Sequence, residues 1–321
     1  MDELLTSLGA ASDPTRLRVL ALVARGAFCV SDFCDILGQS QPRLSRHLRL
    51  LCDAGLLERA REGASVWFSL AQGEAGGLVR DILRRAPEAD PLLAADRRGA
   101  TRVLAERARQ ANETFRRQGA DWDEMRALCL PADAVEARLL AMLPGALGRL
   151  LDVGTGTGRL LEVLAPRIRS GLGVDASRAM LALARVRLAS ATYAHCSVRL
   201  ADMYALPLAD GGFDTVLLQM VLHYAEDAEA VIAEAVRVLA PSGRLVVVDL
   251  APHAHFALLS QMGHRTAGFT DERMRRLFEQ AGLRPGSPVA VQQTAVGELN
   301  VRIWEGVVPL MHEQFMNEAV A

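Results

Sequence analysis

Three glycines alternate with threonines directly after an apolar run, at Gly154, Gly156 and Gly158. Glycine has no Cβ, so such a loop brings the backbone close to a ligand and presents N–H groups to it. The apolar residues of 150–153 and the helical spacing of those in 160–164 predict a strand that turns into a helix. In a doubly wound α/β sheet this turn lies at the ligand-binding edge. We therefore expect a small-molecule site here.

Three acids accompany these glycines. Asp152 precedes the first glycine, Asp175 ends the next apolar strand about twenty residues later, and Asp202 follows the third strand. A carboxylate at the second position accepts hydrogen bonds from both ribose hydroxyls, and one at the third accepts from an adenine amine. An NAD-type loop would read G-x-G-x-x-G, but Arg159 replaces its third glycine. A glycine turn without a ligand is the other alternative.

The region 150–250 resembles the class I S-adenosylmethionine (SAM) methyltransferases in four successive pieces, DVGTGTG, GVDAS, ADMYALP and FDTVLLQMVLHY. The resemblance implies an α/β, Rossmann-like doubly wound sheet that binds SAM or S-adenosylhomocysteine. It assigns the cofactor contacts to Asp152, Gly154, Thr155, Gly156, Gly158, Asp175, Ala176, Met180, Asp202, Met203 and Gln219.

Catalysis of methyl transfer depends largely on positioning, sometimes with a base that removes the acceptor's proton. Two histidines are candidate bases because imidazole titrates near neutral pH, namely His223 and His264. The alternative for each is a structural hydrogen bond. The stretches that contain them, 219–224 and 251–283, resemble the ubiquinone/menaquinone C-methyltransferases.

The acceptor class is narrowed by missing motifs. The Asp/Asn-Pro-Pro-aromatic motif of DNA amino-methyltransferases is absent at 219–224, and so is the Pro-Cys nucleophile of DNA cytosine methylases. We therefore expect a small-molecule acceptor. An arsenite methyltransferase is an alternative, although only Cys129 and Cys196 are available as pocket thiols.

The N-terminal residues read as helices followed by a hairpin. Asp13 and Pro14 predict the start of a helix, another runs from Ser31 to Gly38, and Ser40 is expected to cap a third. Two short strands follow, which is the winged helix-turn-helix plan for DNA binding. The candidate DNA contacts are Ser40, Gln41, Arg43, Ser45, Arg46, His47, Arg49, Arg59 and Arg61. A merely solvated charged face is the alternative.

This region resembles the ArsR family of bacterial repressors in DPTRLRVLALV, SQPRLSRHLRLLCDAGLL and REGASVWFSL. The resemblance implies a double-stranded DNA operator and a homodimer formed by terminal helices, to which residues 73–85 would contribute. Many relatives bind metal through C-V-C-D-L. Here the second thiol is replaced by Ser31, so we expect no metal.

The length of 321 residues indicates about two domains. We predict a winged-helix domain at 1–86, a helical linker or cap at 87–145 and a methyltransferase domain at 146–321. Phe115 and Trp122 are candidates for lining the cap, with packing in a helical hinge as the alternative. The net charge of −2 restricts DNA contact to a local patch. Five scattered cysteines, no signal peptide and no membrane-spanning run predict a cytoplasmic protein without a membrane partner.

Two functions from different classes fit these observations. One is a SAM-dependent methyltransferase (EC 2.1.1.-) fused to its own DNA-binding regulator. The other is a repressor of methionine-cycle genes whose methyltransferase fold senses SAM or S-adenosylhomocysteine without turnover.

Overall fold

The computed structural model describes residues 1–62, 65–71, 73–87, 90–118, 132–260, 263–291 and 299–309. The chain divides into two compact units. The first comprises 1–113, 157–165 and 177–200, and the second 114–156, 166–176 and 201–321. The first unit thus joins the predicted winged helix to two segments from the C-terminal half. The boundaries at 86 and 145 stay a prediction.

The first unit contains eight helices and four strands among the described residues. In chain order these are α1 (Asp2–Ala11), α2 (Pro14–Val23), β1 (Phe28–Cys29), α3 (Val30–Leu37), α4 (Gln41–Asp53), β2 (Leu57–Glu62), β3 (Ser65–Leu70), α5 (Gly73–Leu83), most of α6 (Pro91–Gln118), α8 (Arg159–Leu164), α9 (Arg178–Arg187) and β6 (Cys196–Leu200).

Helix α2 starts as its sequence predicts. The backbone N–H of Arg16 donates to Asp13 Oδ1 at 2.9 Å, and Pro14 occupies the first turn. This cap satisfies one of the amides that a helix start leaves without a partner.

Two predicted caps need correction. Helix α3 begins at Val30 instead of Ser31, because the Asp32 carboxylate accepts from the Cys29 N–H at 2.6 Å and makes Cys29 the N-cap. Ser40 precedes α4, but its side chain makes no capping hydrogen bond. The left-handed Gly38 ends α3 as predicted.

The first unit's core is formed largely by residues of the winged helix itself. The rings of Phe28 and Phe68 each contact that of Phe33, with centroids 5.9 and 6.3 Å away. Strand β3 pairs antiparallel with both β1 and β2, so the hairpin belongs to a three-stranded sheet. The predicted helix-turn-helix and wing are confirmed in this arrangement.

The second unit is built on a mixed sheet. Its elements are α7 (Ala132–Met142), β4 (Gly148–Val153), β5 (Ile168–Asp175), β7 (Phe213–Gln219), α10 (Ala228–Arg237), β8 (Leu239–Leu250), α11 (Phe256–Leu259), α12 (Asp271–Gln280), β9 (Arg284–Pro285), β10 (Val289–Val291) and β11 (Val301–Val307). The predicted cap residues 119–131, which include Trp122, lie outside the described residues, and so does the Phe115 side chain.

Strand order in this unit is β10-β11-β8-β7-β4-β5. Strands β8, β7, β4 and β5 run parallel, whereas β11 is antiparallel to β8 and β10. The Rossmann-like fold class is therefore confirmed, and β10 and β11 form an antiparallel pair at one end of the sheet. Because parallel strands end at one edge, the residues after β4, β5 and β7 are brought together there.

Candidate ligand site and DNA-contacting helix

The loop after β4 turns through three left-handed residues. The φ angles of Gly154, Gly156 and Gly158 are 73°, 54° and 75°, values that L side chains rarely adopt. The N–H groups of Gly154 and Thr155 both donate to the carbonyl oxygen of Val174, at 2.8 and 3.0 Å. These bonds hold the start of the loop against the end of β5.

A side chain at Gly154 would have no room. Its Cβ would lie 2.5 Å from Cγ2 of Val221, which follows β7. The ends of β4 and β7 therefore converge at the glycine loop, and this close approach explains the glycine.

Asp152 lies beneath the loop and is 2% exposed. The Thr155 hydroxyl donates to Asp152 Oδ2 at 2.6 Å. Burial raises the pKa of the Asp152 carboxyl to about 7; the hydrogen bond from Thr155 opposes this rise, and the charge of Asp175 adds to it. Through its hydrogen bond with Thr155, the buried Asp152 side chain stabilises the conformation of the loop.

The other two acids meet at the same edge. Asp175 ends β5, and its Oδ2 accepts from the N–H of Gly156 at 2.8 Å. The N–H of Ala201 donates to the carbonyl oxygen of Asp175 at 3.1 Å, which holds the segment carrying the exposed Asp202 beside the end of β5. Asp175 and Asp202, which are far apart in the chain, are therefore brought to the same edge of the sheet.

Gln219 ends β7 at this edge, and its side-chain Oε1 is buried without a hydrogen-bond partner among the described residues. A buried amide oxygen without a donor is unfavourable by about 1–3 kcal/mol, so it marks a place where a donor is missing. Of the remaining predicted contacts here, Ala176 is exposed after β5, and Met203 packs against the second unit's core.

Two predicted cofactor residues belong to the first unit. Gly158 is the N-cap of α8, and a Cβ on it would lie 3.1 Å from the Ala184 Cβ. Met180 is buried in the first turn of α9, where its N–H donates to the Ser177 hydroxyl at 3.3 Å. Gly158 thus permits close packing of α8 on α9.

The two candidate bases lie in one buried cluster. His223 is 0% exposed, and its ring stacks on that of His264 with centroids 4.1 Å apart. The Nε2 of His223 and both ring nitrogens of His264 have no hydrogen-bond partner among the described residues. Burial, with a contribution from His223, lowers the pKa of His264 to about 4, which keeps its imidazole neutral at pH 7.

Sequence reasoning missed the partner of His223. Asp249, also fully buried, lies with Oδ1 2.8 Å from His223 Nδ1 and accepts from the His223 backbone N–H through Oδ2 at 3.2 Å. This carboxylate fixes the orientation of the ring and favours a proton on Nδ1. Its position in the apolar strand VVVDL was the signal that could have revealed it.

Helix α4 has the two faces that major-groove recognition requires. Leu44, Leu48 and Leu51 are buried in the core. On the opposite side Arg43, Arg46 and Arg49 are exposed at intervals of three residues, with Ser40 and Gln41 exposed at the start of the helix. Side chains at this spacing share one face of a helix.

The other predicted DNA contacts differ in their exposure to solvent. Arg59 and Arg61 are exposed on β2, and Ser45 is half-buried on α4. His47 is half-buried, with Nδ1 3.7 Å from Asp13 Oδ1, so it faces the start of α2. Its contact with DNA stays a prediction.

The described cysteines are Cys29, Cys34, Cys52 and Cys196, all as free thiols. Among the described residues no group of three or more His, Cys, Asp or Glu side chains is arranged to hold a metal ion. Cys129, the other thiol considered for an arsenite pocket, lies outside them.

None of the described helices has both the length and the apolar character needed to cross a membrane.

Fold and site together define a Rossmann-like α/β domain preceded by a winged helix. Two family models match the corresponding parts of the chain. Residues 13–59 match the bacterial regulatory proteins of the arsR family, and residues 151–247 match the methyltransferase domain. The chain therefore carries an ArsR-type helix-turn-helix followed by a methyltransferase domain.

Individual relatives match the methyltransferase part. A demethylmenaquinone methyltransferase of Thermus thermophilus is 42% identical over 106 residues, which are 32% of this chain and 48% of the relative. A ubiquinone/menaquinone biosynthesis C-methyltransferase of Geotalea daltonii is 31% identical over 36% of this chain and 51% of the relative. An arsenite methyltransferase of Aquipseudomonas alcaligenes is 34% identical over 34% of each chain. The alignments thus span about half of these relatives or less.

Proposed function

We propose that the chain binds SAM and S-adenosylhomocysteine at the glycine loop, transfers a methyl group to a small molecule, and binds operator DNA through α4 and the wing. The observation that carries the donor site is the convergence of Asp175, Asp202 and the unsatisfied Gln219 oxygen at one strand edge.

An adenosyl ligand fits the chemistry of this edge. The Asp175 carboxylate would accept from the ribose hydroxyls, and Asp202 from the adenine amine. The Gln219 oxygen would accept from the ligand's ammonium group. The positive-φ glycines leave the backbone open to the ligand because no Cβ projects into the loop.

SAM supplies an electrophilic methyl group on a sulfonium, and the protein's contribution to transfer is mainly alignment of the acceptor. Residues of this chain would exclude water and hold the acceptor in line. His223 and His264 remain proposed bases for an acceptor that must lose a proton. The quinone-biosynthesis methyltransferases among the relatives support a small organic acceptor, and the arsenite methyltransferase among them makes arsenite the alternative.

A second candidate function is ligand sensing without turnover. It is favoured by the complete burial of His223 and the near-complete burial of His264, which keep both imidazoles away from solvent. Methyl-labelled SAM incubated with the protein and a metabolite extract distinguishes the two candidates. Transfer of label to an extract component supports the enzyme, whereas donor binding without transfer supports the sensor.

We also propose that the chain acts as a homodimer in the cytoplasm. Helix α1 supports this because Leu4, Leu5 and Leu8 are 46%, 60% and 41% exposed. An apolar face of this kind is stabilised by burial against a partner. A dimer would present two α4 helices to an inverted repeat whose half-sites lie about one helical turn apart.

Asp175→Ala is expected to weaken binding of both SAM and S-adenosylhomocysteine about 10- to 100-fold. The loss of hydrogen bonds from the ribose to a carboxylate accounts for about 1.5–3 kcal/mol. Isothermal titration calorimetry measures both dissociation constants. Glu229→Ala, which removes an exposed acid on α10 of the same unit, is the control. Absence of heat with the wild-type protein contradicts the donor site itself, and an unchanged Asp175→Ala variant contradicts the ribose contact.

Arg43→Ala and Arg46→Ala are each expected to reduce discrimination between operator and random DNA by about 1–3 kcal/mol, because these side chains would reach base edges. Arg59→Ala on the wing should instead weaken both DNAs alike and lower the salt slope by about one. Fluorescence anisotropy over a range of salt concentrations measures this, with Arg98→Ala on α6 as the exposed-arginine control. Equal losses for all four variants on every DNA mean that the arginines form only a charged face.

A further inference from the structure

The two faces of the wing have different surroundings within the first unit. Side chains alternate along β2, so Glu58 and Glu62 lie on one face, and Arg59 and Arg61 lie on the other. The Arg59 and Arg61 side chains are exposed near the tip of the hairpin, whereas Leu57 on the same face is buried. The acidic face contacts α9 and β6, because Glu62 pairs with Arg185 and Glu58 with Arg199.

The Glu62 contact is fully buried. Glu62 Oε1 accepts from Arg185 Nη2 at 2.5 Å and from the backbone N–H of Leu200 at 3.2 Å. The side chains of Glu62 and Arg185 are each 3% exposed. A single wing carboxylate therefore binds both α9 and the end of β6.

An aromatic ring extends this contact. Trp67 pairs with Ala60 across the hairpin and thus lies on the same face as Glu62. Two guanidinium groups contact its ring, with Cζ of Arg185 at 3.8 Å and Cζ of Arg107 of α6 at 4.5 Å from the ring centroid. Stacked cations of this kind add to the attachment of the wing.

Both elements bound by Glu62 continue directly into the proposed donor site. Helix α9 starts three residues after Asp175 in the chain, and β6 ends two residues before Asp202. A ligand that fixes these two acids therefore orders the ends of the two elements that hold the wing.

We propose that the chain is a donor-responsive DNA-binding protein in which the Glu62–Arg185 contact couples the two sites, an inference that rests on the proposed donor site and DNA site. A ligand shifts DNA affinity only through unequal binding to two arrangements, and the coupling is reciprocal. Occupancy of the donor site changes how α9 and β6 hold the wing. The wing then offers its Arg59 and Arg61 face to DNA with a changed affinity.

The test measures one coupling factor in both directions. A duplex selected from a random library by the purified wild-type protein is titrated by anisotropy with and without S-adenosylhomocysteine. S-adenosylhomocysteine is then titrated by calorimetry with and without the duplex. We expect a change of at least about fivefold, equal in the two directions.

The variant Glu62→Met with Arg185→Leu removes both charges and leaves neither one buried alone. It should reduce the coupling factor to about one while each separate affinity stays within about threefold of wild type. Asp96→Asn removes another buried acid of the first unit, paired with Arg18 away from the wing, and should retain full coupling.

The outcomes separate this inference from the proposed function. Binding of S-adenosylhomocysteine with the same affinity in the presence and absence of the duplex overturns the coupling. Undiminished coupling in the double variant overturns the role of Glu62 and Arg185. Absence of any ligand or DNA binding by the wild-type protein instead overturns the proposed function.

Discussion

Replacement of Asp152 by asparagine should change how the stability of the ligand-free protein depends on pH. The pKa of the folded-state carboxyl is raised to about 7 from 3.8, chiefly by burial. The folded state therefore holds this proton more tightly than the unfolded state. The stabilisation that results is fully present below pH 4 and is lost as pH rises through 7. The side-chain amide of the Asp152→Asn variant has no such proton to lose.

The expected size follows from the shift. About three pKa units at 1.36 kcal/mol each give up to about 4 kcal/mol, so the free energy of unfolding of Asp152→Asn should rise by this amount relative to wild type between pH 4 and pH 8. Urea unfolding at a series of pH values measures the difference between the two curves. Burying the asparagine amide changes the free energy of unfolding by an amount that does not depend on pH. This amount cancels because only the pH dependence of the two proteins is compared.

Asp214→Asn is a control with the opposite sign. Hydrogen bonding to Arg149 lowers the pKa of the Asp214 carboxyl, so this acid contributes stability above its unfolded pKa and loses it as pH falls. Its removal should therefore change the curve only on the acid side. If the free energy of unfolding changed with pH in the same way for wild type and Asp152→Asn across pH 4–8, the pKa of Asp152 would not be raised.

Glu62→Gln should destabilise the protein by about 3–5 kcal/mol, because it leaves the buried guanidinium of Arg185 without its counter-charge. Replacing both residues, as Glu62→Met with Arg185→Leu, should restore the free energy of unfolding to within about 1 kcal/mol of wild type, since neither charge then remains buried. Denaturant unfolding of Glu62→Met, Arg185→Leu and the double variant gives the interaction energy as a double-mutant cycle.

A surface pair is the matched comparison for this cycle. Asp81 and Arg84 of the first unit form an ion pair with side chains 54% and 78% exposed. Asp81→Asn should cost less than about 1 kcal/mol, because exposed pairs are screened by water and salt. If Glu62→Gln proved as mild as Asp81→Asn, burial would not be what makes the Glu62–Arg185 pair matter.

Much of the site was predictable because its signals are local in the chain. Three glycines within five residues have positive φ, as their type allows. Asp175 and Asp202 reach one edge because parallel strands must end together. Arg43, Arg46 and Arg49 share a face because three residues make nearly one helical turn.

Two sequence expectations failed at helix starts. Ser40 has a residue type suited to capping, yet its side chain makes no capping bond to α4. In α3, Asp32 accepts a hydrogen bond from the Cys29 N–H, so the helix begins one residue before the predicted Ser31. Caps depend on side-chain rotamers, which residue type alone does not specify.

The sequence by itself determined the two kinds of domain, the glycine loop, the acids at the strand ends and the exposed arginines of α4, since each depends on periodicity or spacing along the chain. Only the tertiary structure decided that Asp152 is buried, that Asp249 orients His223 and that Glu62 binds Arg185. The last two pairs join residues 26 and 123 positions apart. Such contacts, and the desolvation that shifts a pKa, arise only when distant segments pack together and exclude water.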